Sequence, residues 1–211
     1  MNLLDILSIT APATTYLMFL SPVPTLYGCA KKGVSDRLSP VPFLMSFLCS
    51  ALWLRYGLLI NDSTVITVNV VGGVLQLIYS IVYYIYCYRK TPFLSKVFIV
   101  VLFLCSVLYY VDGIEDTASA VNQLGLVCAV INVLAIGSPL AGVQDVIRTK
   151  STEDMPFPLI LMGFIVTIQW FLYGILISDI YMQVPNGLGI LLGIAQLALF
   201  VIYPGKKEST D

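Results

Sequence analysis

Four carboxamides stand inside otherwise apolar stretches of the chain: Asn69 and Gln76 in one, Asn186 and Gln196 in another. The first pair belongs to the stripe Asn69, Gly72, Gly73, Gln76, spaced i, i+3, i+4, i+7, and the second to Asn186, Gly189, Gly193, Gln196. Each set puts polar and small residues on one side of a helix. Two further apolar stretches carry Ser46, Cys49, Ser50 and Trp53, and Thr167 and Trp170. A carboxamide donates and accepts hydrogen bonds, and an indole offers a flat apolar face. Together they suit an uncharged polyhydroxylated ring, whose C–H side the indole covers and whose hydroxyls the carboxamides meet.

Other chemistry is excluded by what the chain lacks. Histidine is absent, which removes the commonest metal ligand and the commonest general base. No Lys, Arg, Asp or Glu sits near the middle of an apolar stretch, so a charged substrate has no counter-ion and a proton relay has no titrating group. An enzyme is therefore not expected, nor any metal or other cofactor. Cys29, Cys49, Cys87, Cys105 and Cys128 are odd in number, lack CxxC spacing and read as small hydrophobes. A net charge of −1 implies no attraction to nucleic acid.

The elements that must position these residues are membrane helices. The 211 residues are 58% hydrophobic and 11% charged, against roughly a quarter charged in a soluble domain. Seven apolar stretches, 4–27, 42–60, 65–88, 94–111, 120–143, 157–177 and 184–203, are each long enough to cross ~30 Å of hydrocarbon as a helix. The first starts with Asp5 and has no basic flank, so it reads as a retained anchor rather than a signal peptide. Ten of the eleven Lys and Arg residues fall in the loops after spans one, three and five and in the tail; only Arg55 lies on the other side. The excess places the C-terminus in the cytosol and the N-terminus outside or in a lumen. The sequon Asn61-Asp62-Ser63 falls on that outer side, which makes Asn61 a glycosylation candidate.

Sliding the chain by 117 positions superposes Ser21-Pro22 on Ser138-Pro139, Trp53 on Trp170, Tyr56-Gly57 on Tyr173-Gly174, Asp62 on Asp179 and Asn69 on Asn186. The expected fold is all-α and integral to the membrane: a triple-helix repeat over 4–88, an unpaired helix over 94–111, a second repeat over 120–203 and a short cytosolic tail over 204–211. This 3+1+3 order makes the repeats parallel, about an axis along the membrane normal, and favours a route between the halves. Duplicated helices that merely pack are the structural alternative, with the Asn residues as interhelical bonds. Two carboxamides placed identically, each accompanied by a Trp, favour a shared pocket. Asn132, near mid-span five, fits a ligand contact or a helix–helix bond equally. Pro22, Pro42, Pro139 and Pro156 lie at the cytosolic ends of spans one, two, five and six, as kinks or as boundary residues. Pro22 and Pro139, flanked by apolar residues, read as internal to their helices.

These residues resemble the SWEET family of sugar facilitators over nearly the whole chain. The resemblance rests on Ser138-Pro139-Leu140, on Lys150 to Phe157 reading KSTEDMPF, on Trp170 to Gly174 reading WFLYG, and on Pro185 to Gly189 reading PNGLG. It implies that Asn69, Asn186, Trp53 and Trp170 line a central sugar pocket, that the four prolines form a hinge tetrad, and that Tyr56, Tyr173 and Asp179 lie near an outer gate. Cys49, Ser50, Gln76, Gln196 and Asn132 join the candidate binding residues. The run from Lys31 to Asp36, KKGVSD, departs from the Lys-Ser-Thr-Glu pattern. Trp53 stands where plant members often carry a small residue, which implies a smaller, glucose-like cargo.

The function that follows is facilitative, bidirectional, uncoupled transport of mono- or disaccharides by alternating access, at the plasma membrane or in the Golgi, with a possible homo-oligomer. A lysosomal amino-acid exporter or cargo receptor of the same fold is the alternative, though the Pro-Gln dipeptide and charged cavity residues of those proteins are missing. A seven-helix receptor is disfavoured by the internal repeat and the absence of an Asp-Arg-Tyr cluster.

Overall fold

The computed structural model describes residues 2–35, 38–135, 137–153 and 155–203. Arg37, Asp154 and the tail over 204–211, with Lys206 and Lys207, lie outside the described residues. Every regular element among the described residues is an α-helix: α1 Leu3–Phe19, α2 Val23–Lys32, α3 Val41–Leu59, α4 Ser63–Tyr86, α5 Lys90–Asp112, α6 Thr117–Ala135, α7 Gly137–Thr149, α8 Phe157–Leu176 and α9 Ile180–Ile202. They supply seven apolar spans of sufficient length, the first made of α1 and α2 and the fifth of α6 and α7. The fold is the expected all-α membrane class.

Two boundaries differ from the apolar pattern, for a physical reason. Spans one and five continue to Lys32 and Thr149, beyond the last apolar residues, because the amphipathic ends Gly28–Lys32 and Gln144–Thr149 keep the helical ladder while presenting polar side chains. Span one is also not one helix. Pro22 stands at the N-cap of α2 with φ −77° and ψ −13°, and the join is a tight turn in which the Ser21 amide bonds to the Met18 carbonyl at 3.1 Å and the Val23 amide to the Leu20 carbonyl at 3.1 Å. Proline supplies no N–H, so the ladder restarts there.

The chain divides into two compact units, Met1–Thr14 with Ala129–Asp211, and Thr15–Cys128. In the second of these α3 packs on α4, α2 on α4, and α5 on α3. Its core holds Leu26, Phe43 and Tyr79 from α2, α3 and α4, and Leu44, Tyr83, Cys87 and Phe93 where α5 joins them. Arg55 near the end of α3 reaches Asp112, the last residue of α5, with Nη2 2.7 Å and Nε 3.0 Å from the same carboxylate oxygen. That cation offsets an acidic residue at a helix C-terminus, the unfavourable end of the dipole. In the other unit α8 packs on α9 and α7 on α9. Helix α1 begins with a reciprocal cap, the Asp5 amide on Asn2 Oδ1 and the Asn2 amide on Asp5 Oδ2, both at 2.8 Å.

Backbone conformations recur at the spacing of 117. The non-glycine residues with positive φ are Asn61 (53°), Lys150 (58°) and Ser178 (57°), and Gly33 has φ 70°. Asn61 and Ser178 are 117 apart and turn α3 into α4 and α8 into α9; Gly33 and Lys150 are 117 apart and end α2 and α7. The loops that follow dock alike. Buried Ser35 donates its hydroxyl to the Tyr83 carbonyl at 3.3 Å and its amide to the Tyr86 carbonyl at 3.2 Å. Buried Thr152 donates its hydroxyl to the Tyr203 carbonyl at 2.7 Å. The departing loop Lys31 to Asp36 thus keeps a hydroxyl residue at the docking point.

Candidate functional site

Each unit carries one half of the candidate set. In the unit Thr15–Cys128, α3 aligns Ser46, Cys49, Ser50, Trp53 and Tyr56 along successive turns, while Asn69 and Gln76 come from α4. In the unit Met1–Thr14 with Ala129–Asp211, Thr167, Trp170 and Tyr173 come from α8, Asn186 and Gln196 from α9, and Asn132 from α6.

The asparagines are held identically. Asn69 Nδ2 donates to the Val65 carbonyl at 2.8 Å, and Asn186 Nδ2 donates to the Met182 carbonyl at 2.8 Å. Each bond reaches back one turn of its own helix, fixing the side-chain rotamer. Both residues are half-buried. A carboxamide has two donor hydrogens and an acceptor oxygen, so each keeps an oxygen and one N–H for another partner. The acceptor oxygen has none among the described residues.

The glycines beside them set the approach of the neighbouring helix. A Cβ on Gly72 would lie 2.8 Å from both Ser50 Oγ and a ring carbon of Phe19; one on Gly189 would lie 2.8 Å from Thr167 Cγ2. The small-residue part of the stripe is therefore a packing face, with α3 against α4 and α8 against α9. The carboxamides one turn earlier are separate from it. Gln76 and Gln196 are not equivalent to each other: by the 117 spacing Gln76 matches Gly193, and Gln196 matches Tyr79. Gln76 is buried and Gln196 half-buried. Tyr79 has a structural task, donating its hydroxyl to the Phe19 carbonyl at 3.0 Å and meeting Phe43 edge-on.

Both indoles meet a tyrosine one turn on. Trp53 and Tyr56 have centroids 5.2 Å apart at 82°, Trp170 and Tyr173 5.5 Å apart at 70°, both edge-to-face. Trp53, Tyr56 and Tyr173 are buried, whereas Trp170 is half-buried. Asp179, buried, caps α9 by accepting from the amides of Tyr181 and Met182. Cys49 and Asn132 are half-buried, and Ser50 is buried.

The prolines stand at helix beginnings. Pro22 and Pro156 are the N-cap residues of α2 and α8, Pro42 is the second residue of α3, and Pro139 the third of α7. There the missing N–H would have had no partner in the helix. The reading of Pro22 as internal to a continuous helix gives way to the break before α2. Asn61 is exposed in the turn between α3 and α4, and Ser63 of its sequon is already the first residue of α4.

One polar pair escaped the sequence. Thr14 donates its hydroxyl to Gln169 Oε1 at 2.5 Å, both part-buried, in the residue just before Trp170. Such interhelical bonds in membranes contribute about 0.6 kcal/mol on average. Gln169 in an apolar stretch was a visible signal; its partner, 155 residues away, was not. Among the described residues no three of His, Cys, Asp and Glu gather as a metal site, and the five cysteines are free.

A membrane protein of seven helical spans with uncharged, duplicated polar positions is the class this arrangement defines. The family model described as a sugar efflux transporter for intercellular exchange matches the chain twice, over residues 5–91 and 122–208. The chain is 37% identical over 207 residues to the sugar transporter SWEET1 of Drosophila pseudoobscura pseudoobscura, covering 97% of this chain and 92% of that protein. It is 34% identical over 202 residues to the bidirectional sugar transporter SWEET7 of Arabidopsis thaliana, covering 88% and 75%. A solved eukaryotic SWEET transporter superposes with a TM-score of 0.86 at 32% identity, over 96% of this chain and 99% of that one. The chain belongs to the SWEET family.

Proposed function

We propose that this protein is a facilitative sugar transporter that carries sugar in either direction without ion coupling. The observation that carries the reading is the pair Asn69 and Asn186. Each is anchored to its own helix backbone and keeps a free acceptor oxygen, at positions 117 residues apart and one in each compact unit. Sugar hydroxyls need such acceptors, and the absence of mid-span ionisable residues supports uniport over proton coupling.

In this reading the two triple-helix repeats alternately expose a pocket formed by Asn69, Asn186, Trp53 and Trp170, with Cys49, Ser50, Asn132, Gln76 and Gln196 around it. Two family-model matches, each beginning and ending 117 residues apart, support the repeats. Prolines at the starts of α2, α3, α7 and α8 act as hinges, because the backbone there moves without breaking a helical bond. Tyr56, Tyr173 and the Asp179 cap form the outer gate. Two bulky indoles favour a glucose-sized cargo. The ten-to-one basic split supports a cytosolic C-terminus, in the plasma membrane or the Golgi.

Labelled glucose uptake and efflux in transporter-deficient cells test the reading. Asn69→Ala and Asn186→Ala reduce both fluxes to background while surface expression is kept, and a protonophore leaves wild-type flux unchanged. Unaltered flux in both variants overturns the pocket, and protonophore-sensitive flux overturns uniport.

A further inference from the structure

On the membrane side of the unit Thr15–Cys128, α3, α4 and α5 enclose a groove of about 310 Å³ that has no part in the sugar reading. Phe47, Leu77, Tyr84, Leu94 and Val97 line it, so its walls are apolar. One polar group interrupts them. Ser80 lines the groove, is only 7% exposed, and its hydroxyl is the buried side-chain polar atom that lacks a hydrogen-bond partner among the described residues. A buried donor without an acceptor is costly to keep, which marks a place where an acceptor from outside the chain belongs.

The basic end of the groove is prepared for an anion. The Lys90 ammonium lies 4.8 Å from the centroid of the Tyr84 ring, and Tyr84 is itself a wall of the groove. Arg89 is the N-cap residue of α5 and gives no side-chain acceptor, so the first amides of this 23-residue helix remain available beside two cations. Tyr84 lies one turn, about 6 Å, along α4 from Ser80. Cationic end, single hydroxyl and apolar trough thus follow one another in the order phosphate, ester carbonyl and acyl chain.

We propose that this groove holds an anionic glycerophospholipid. Its phosphate sits at Lys90, Arg89 and the α5 amides, its ester carbonyl accepts from Ser80 Oγ, and its chain runs between Phe47, Leu77 and Val97. A second copy of the protein is the less suitable occupant, because a helix face brings no phosphate to the cations.

The test is native mass spectrometry of the full chain released from phosphatidylcholine nanodiscs doped with phosphatidylglycerol. The wild type retains phosphatidylglycerol in preference to phosphatidylcholine. Lys90→Gln weakens that preference about fivefold, the effect of one cation at a membrane surface. Ser80→Ala lowers retention of both lipids, and Val97→Trp, which fills the trough, removes it. Lys150→Gln is the control, since its ammonium also lies 4.8 Å from a tyrosine centroid, that of Tyr203, in the other unit. Loss of preference in Lys150→Gln equal to that in Lys90→Gln, unchanged retention in Ser80→Ala, or displacement of the lipid by soluble glycerol phosphate each overturns the proposal. A Val97→Trp effect on the oligomeric state alone, with lipid retained, does so as well.

Discussion

Asp62 and Asp179, 117 residues apart, perform the same act on two helices. Asp62 Oδ1 accepts from the Thr64 amide at 2.9 Å and the Val65 amide at 3.0 Å; Asp179 Oδ1 accepts from Tyr181 at 2.9 Å and Met182 at 3.1 Å. Each carboxylate satisfies the second and third amides of the helix that carries an asparagine two turns further on. Asp→Ala at either position removes about 1 kcal/mol by loss of the cap. Asp→Asn retains an acceptor and loses less. Thermal unfolding in detergent checks the order wild type, Asn variant, Ala variant. At Asp179 the comparison also separates a cap from a gate: Asp179→Asn keeps the helix start but loses the charge, so normal melting with altered flux assigns the charge to transport.

Close packing makes a second expectation. A Cβ on Gly193 would come within 2.6 Å of Phe164 Cδ2, nearer than real contacts allow. Gly193→Ala therefore destabilises by about 1–3 kcal/mol through overpacking. Phe164→Leu in the same chain relieves the clash and recovers part of the melting temperature. Additive losses in the double variant would show that the two residues do not touch.

The Arg55–Asp112 pair is geometrically good yet contributes little. Its side chains are 33% and 56% exposed, and exposed pairs are worth about 0.2–1 kcal/mol. Arg55→Gln is expected to lower the melting temperature by a small amount that shrinks further in high salt. A loss of several kcal/mol would mean that the pair is shielded.

A pH dependence is expected at one acidic residue outside the spans. The hydroxyl of Ser119 at 2.6 Å, then its amide at 2.9 Å, hold the Asp116 carboxyl below the usual carboxylate range. A lowered folded value means that the stabilisation is complete above the unfolded value and is lost as pH falls through the folded one. Carbon NMR of labelled aspartate locates this titration on the acid side of the ordinary range. Ser119→Ala moves it back toward that range.

Much of this architecture is written in the chain's apolar runs, because a helix surrounded by lipid must be apolar over its whole crossing. Seven runs give seven spans. The same criterion fails where a helix leaves the lipid: Lys31, Lys32, Arg148 and Thr149 are helical but polar, so the ends of α2 and α7 were set too short. The break at Pro22 was legible as a proline but not as a break, since proline marks a kink, a cap or a boundary equally well. Of the candidate site, the asparagines, tryptophans and their spacing are local patterns. Their back-bonds to Val65 and Met182 follow from the i−4 geometry of any helix. Thr14 with Gln169 is different, because only tertiary packing brings together residues 155 positions apart. The contrast between Gln76 and Gln196 was hidden by treating both stripes as copies, when strict register pairs each glutamine with something else.

The docked loops carry an evolutionary corollary. Ser35 and Thr152 bind main-chain carbonyls, of Tyr83 and Tyr203, and a carbonyl is present whatever side chain its residue bears. Mutational drift is thereby tolerated on the acceptor side, and on the donor side any small alcohol suffices. Gly33 and Lys150 have diverged beside these anchors while sharing a left-handed backbone. Two halves of an ancient duplication can lose their likeness letter by letter here and still inherit the same shape.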